Sequence, residues 1–143
     1  MDSMDAYADP DGELGIGTVV HGDFDEVVER TRAAIAEGGF GVLTEIDVTA
    51  TLRDKLGREI ERLLILGACN PAFAAEALDA SRDVSLVMPC NVVVREDPAL
   101  GADAVRVVAM SPAAMGRMAG VAGLGDLMGR AEEMMRGIIG SLE

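Results

Sequence analysis

The chain has 143 residues, half of them hydrophobic and 26% charged, which suits a single globular domain and is too rich in apolar residues for a disordered chain. A net charge of −13 argues against a surface that binds nucleic-acid phosphates or an anionic membrane, since either needs a basic face. Two cysteines make no secreted disulfide framework, and no uncharged apolar run approaches the roughly 20 residues that span a bilayer.

With no signal-peptide pattern at its start, the sequence points to a cytoplasmic protein with reduced thiols. Lys55 is the only lysine beside eleven arginines. That bias with a large acidic excess fits either work in high salt, where self-repulsion is screened, or coding bias with an ordinary acidic surface.

In chain order, Met1–Glu13 is polar and acidic with a Pro10–Asp11–Gly12 turn, and reads as a flexible leader to a single domain over 14–143. Leu14–Val20 is a candidate first strand. His21 ends it, with no partner motif beside it, so a turn role is the simplest account. Asp23–Gly38 is the clearest helix. Asp23 and Glu26 form a capping-box pattern; Phe24, Val27, Val28, Thr31, Ala34 and Ile35 fall on one face; Gly38–Gly39 ends it.

Phe40–Val48 alternates, which predicts a strand with Phe40, Val42, Thr44, Ile46 and Val48 facing the core. Glu45 and Asp47 then project together from the other face, as acid/base carboxylates, as hard-metal ligands, or simply as a solvated face. A short helix over Thr49–Leu56, capped by Thr49, carries Lys55, a nucleophile if buried beside a carbonyl but otherwise an exposed charge.

The segment Leu63–Val94 holds both cysteines. Leu63–Leu66 reads as an interior strand, Asn70–Pro71 as the cap and first turn of an alanine-rich helix to Ala80, and Val84–Val94 as a second apolar run interrupted by Pro89. Strand–helix–strand order suggests a parallel crossover. In that arrangement Leu63 aligns with Val84 and Cys69 with Cys90, so the thiols meet at one end of the sheet. Cys69 also precedes a helix N-terminus, where the partial positive charge favours a thiolate. The alternative is that both cysteines are small buried hydrophobes. Their spacing fits neither a tetrahedral zinc site nor a CxxC redox motif.

The blocks GGFGVLTEIDVTATLRDKLG, ILGACNP with FAAEAL, and MPCNVVV resemble, in order and spacing, the signature blocks of the uncharacterised family catalogued as domain of unknown function 302. The likeness runs from about Asp23 to about Ala109. It implies a compact α+β domain, commonly homodimeric, with no established biochemical activity. The family's cysteine and asparagine positions fall on Cys69, Asn70, Cys90 and Asn91, its strand carboxylates on Glu45 and Asp47, and its lysine on Lys55. Many relatives carry Asp before the proline where this chain has Ser111–Pro112.

Towards the C-terminus, Ala104–Met110 reads as a strand and Ser111–Pro112 opens a helix. Leu127, Met128, Ala131, Met134, Met135, Ile138 and Ile139 form a helical stripe that packs on the sheet or on a second copy. The whole predicts a two-layer α+β fold, a mainly antiparallel sheet of about five strands with helices on one face. Its expected function is binding of a small-molecule ligand, or regulation, in a homodimer with a pocket near the two Cys–Asn pairs. Thiol-dependent redox or metal handling through Cys69 and Cys90 is the alternative.

Overall fold

The computed structural model describes residues 14–121 and 123–143. The leader read over Met1–Glu13 lies outside the described residues. Five strands, β1 (Gly15–His21), β2 (Gly41–Asp47), β3 (Leu63–Cys69), β4 (Cys90–Glu96) and β5 (Ala104–Met110), form one open sheet of order β1-β5-β4-β3-β2. Every neighbouring pair is antiparallel. Five helices complete the α+β fold: α1 (Phe24–Glu37), α2 (Val48–Leu56), α3 (Pro71–Ala80), α4 (Pro112–Ala119) and α5 (Gly125–Gly140).

Sequence explains most of these elements locally. Asp23 caps α1 by accepting from the Glu26 N–H at 3.2 Å, and all six residues of its expected stripe are buried. α1 and α5 lie over the face of the sheet that carries Ile16, Val20, Leu64, Leu66, Val92, Val94, Val105 and Val107, and with it they enclose the main core. A second, smaller cluster forms from Ala77, Val84, Leu124 and Leu127, between α3, the 3-10 turn Arg82–Leu86 and the start of α5. Met88 packs against both clusters.

Four expectations fail. β3 and β4 are antiparallel rather than a parallel crossover: Leu63 pairs with Arg95 and Ala68 with Cys90. The run Val84–Met88 is not strand. It coils into the 3-10 turn and the chain reverses, so β4 begins only at Cys90. In β2 the register slips between Val42 and Thr44. This bulge at Leu43 flips the alternation, since one extra residue moves every later side chain to the other face. Glu45 and Asp47 therefore stand opposite Leu66 and Leu64 on the helix-covered face, and Thr44 and Ile46 point the other way. Of the residues expected to face the core here, Phe40 alone is buried. The cap of α2 is Asp47 rather than Thr49; Asp47 accepts from the Ala50 N–H at 2.9 Å.

Candidate functional site

Where β3 runs into α3, the chain leaves a cavity of about 70 Å³. Its walls include Cys69, Cys90, Phe73, Met88, Met115 and Met128, and it is almost wholly apolar. The two asparagines of the Cys–Asn pairs play different parts. Asn70 lies on the wall, but both ends of its amide are engaged: Oδ1 accepts from the Phe73 N–H at 3.2 Å and Nδ2 donates to the Gly39 carbonyl at 3.1 Å. It caps α3 and ties it to the loop after α1. Asn91 is exposed and pairs with Gly67 on the opposite face, away from the cavity.

The cysteines differ too. Cys90 is buried beside Ala68 on the core face, and its thiol donates to the Met110 carbonyl at 3.1 Å. Burial, reinforced by the negative charge of Glu132, pushes that thiol up to about 12, so it is protonated at neutral pH. Cys69 is one position out of register with Cys90, and strand alternation assigns the two to opposite faces. The alignment of Cys69 with Cys90 expected from a parallel crossover does not occur. Both cysteines are free.

Neutral alkylating reagent at pH 7.5 should therefore modify the partly exposed Cys69 first. Cys90 should stay unmodified until the fold is opened, and peptide mass spectrometry reads the order. Equal rates would mean that Cys90 is neither buried nor held protonated.

Beside Cys90 lies a carboxylate that sequence reading passed over. Glu132 of α5 takes the Ser111 hydroxyl at 2.7 Å and the Ala113 N–H at 3.2 Å on Oε1, and Arg136 at 3.1 Å on Oε2. Burial acts to raise its carboxyl, yet these donors outweigh that and hold it below its ordinary value. Ser111 also accepts from the Ala114 N–H at 3.1 Å, so one hydroxyl caps α4 and anchors α5. The cap was visible in Ser111–Pro112. Its partner, 21 residues on, was not.

Glu45, Asp47 and Lys55 do not line the cavity. Glu45 is ion-paired with Arg32 of α1, Asp47 caps α2, and Lys55 is exposed. Among the described residues no group of three His, Cys, Asp or Glu side chains is arranged to hold a metal ion. His21 pairs at 2.9 Å with Asp103, whose carboxyl that hydrogen bond draws below its usual value.

An open antiparallel sheet with helices on its core face and an apolar cavity at one end defines an α+β domain. Residues 16–142 match the family described as Domain of unknown function DUF302, and the chain belongs to that family. Its fold is similar to that of an uncharacterized conserved DUF302 protein from Bacillus stearothermophilus seen in a crystal structure. The TM-score is 0.82 at 23% identity, covering 92% of this chain and 100% of the other. No curated protein matches the chain.

Proposed function

We propose that this protein is a small-molecule-binding or regulatory domain whose ligand enters the cavity beside Cys69 and Cys90. One observation carries the reading: the cavity is open space lined by aromatic, methionine and cysteine side chains, with the nearby polar groups already engaged. An apolar cavity of this kind takes an apolar guest in preference to water. Methionines suit the role because their unbranched thioethers re-pack around different shapes.

Xenon is a fitting first probe. Under xenon pressure, amide signals of Phe73, Cys90 and Met115 should move in a saturable way. Ala74→Leu, which adds bulk from a partly exposed wall position, should abolish the effect while leaving the fold intact. Shifts that survive this filling, or that never localise here, would remove the cavity as a binding site.

The same reading includes a homodimer built on β2 and α2. None of the residues Gly41–Leu56 is buried, and Leu43, Ile46 and Leu56 are 66%, 49% and 71% exposed. Residues 41–56 carry two basic against three acidic side chains, a net −1 in a chain of −13. Two copies therefore meet little like-charge repulsion through this surface. Sedimentation should give twice the 14.9 kDa chain mass, falling to one chain in Leu43→Glu/Leu56→Glu. A wild-type monomer at working concentration would end this part of the proposal. No helix among the described residues is long and apolar enough to cross a membrane, and the acidic surface leaves no nucleic-acid face. With two free thiols, we assign the domain to the cytoplasm.

A further inference from the structure

On the face of the sheet turned away from the main core, β4 and β5 set two arginines directly opposite each other, Arg95 and Arg106. Like charges in opposed positions of an antiparallel pair repel, so the pair calls for anionic company. Only part of that company is present. Arg106 Nε donates to Asp97 Oδ2 at 2.6 Å. Arg95 comes within 3.8 Å of Asp97 and 3.9 Å of Glu61, both beyond hydrogen-bond reach, and makes a long 3.5 Å contact with the Glu96 carbonyl. Arg106 is 3% exposed, and its Nη1 has no hydrogen-bond partner. A buried guanidinium N–H with no acceptor is costly to keep, and buried donors in native folds almost always have one.

The surroundings narrow what the missing acceptor belongs to. Two residues along the same face, Val108 is opposite Val93, which in turn is opposite Ile65. All three are partly exposed, so the arginines adjoin an apolar strip. A guanidinium edge matches the two oxygens of a carboxylate. In a chain of −13, a singly charged anion meets less repulsion than a multiply charged one. Arg95 is 24% exposed and held only by the long contacts above, so it can swing to admit the ligand.

We infer that Arg95 and Arg106 bind the carboxylate of a small organic acid whose hydrocarbon tail lies along Val108, Val93 and Ile65. This site is separate from the cavity, whose lining includes none of Arg95, Arg106, Val108, Val93 and Ile65. Octanoate is the probe, with octanol as the uncharged control and sulfate as the tail-less one. Octanoate should shift the amide signals of Val93, Arg95, Arg106 and Val108 saturably, and the two controls should leave them in place. Because Arg106 is buried against Asp97, its loss confounds folding with binding. Arg95→Met is the variant to read, and it should weaken octanoate about tenfold or more. Equal shifts from octanol, unchanged affinity in Arg95→Met, or octanoate shifts confined to Phe73 and Met115 would each overturn the inference. The last would leave the cavity reading standing, and failure of xenon with octanoate at the arginines would do the reverse.

Discussion

Replacing Asp97 with alanine should lower the unfolding free energy by about 3–5 kcal/mol, read as a drop in the urea midpoint at unchanged slope. Asp97 and Arg106 have side chains only 11% and 3% exposed, with their charged atoms 2.6 Å apart. Removing the carboxylate leaves Arg106 charged, buried and bonded to nothing else, with Arg95 opposite it. Burying two charges is itself expensive, so the large loss comes from leaving one uncompensated rather than from a strong favourable pair. The double variant Asp97→Ala/Arg106→Met should therefore recover much of the loss. If the single variant costs under about 1 kcal/mol, the pair is solvated in a way its burial does not suggest.

The second large effect belongs to Leu66. It is fully buried in the middle of β3, opposite Val92 on one side and Glu45 on the other, facing the main core. Leu66→Ala should cost about 2–5 kcal/mol: lost transfer energy plus a cavity that close-packed neighbours only partly fill. Leu43 is the control. It stands in the β2 bulge and is 66% exposed, so its truncation should change stability by no more than about 0.5 kcal/mol. Comparable losses at the two positions, measured by the same denaturant curves, would contradict the assignment of the core to one face.

These two leucines also mark how far sequence reasoning carried. Where the signal is local, it reached the residue. The stripe of α1, the Asn70–Pro71 start of α3 and the bounds of β5 all follow from cap chemistry and periodicity, which act within a few residues. The α+β class followed too. Hidden were events that leave no periodic trace. A one-residue bulge at Leu43 reverses every later face of β2, yet the alternating text of the strand reads the same with or without it.

The order of β3, α3 and a second apolar run suits a crossover, but Val84–Leu86 spends its hydrophobicity on a 3-10 turn and the chain comes back antiparallel. The expected meeting of Cys69 and Cys90 depended on that register. For the candidate site, the sequence singled out Cys69, Asn70 and Cys90 of the cavity wall. It could not supply Phe73, Met88, Met115 or Met128 as partners, nor pair Ser111 with Glu132, because those contacts exist only after packing. The apposition of Arg95 and Arg106 is likewise invisible until strand pairing fixes it.

The two apolar clusters that meet at Met88 have a dynamic consequence. The smaller one rests on a handful of contacts among short segments, whereas the larger holds the sheet. Fluctuations should thus open the α3 lobe as a unit while the strands stay paired, since cooperative units with fewer buried contacts open at lower free energy. In amide hydrogen exchange this would show as α3 and the Arg82–Leu86 turn exchanging together, well ahead of β4 and β5. Such breathing would widen the mouth of the apolar cavity, whose wall includes α3 residues Phe73, Ala74 and Ala77, without unfolding the protein.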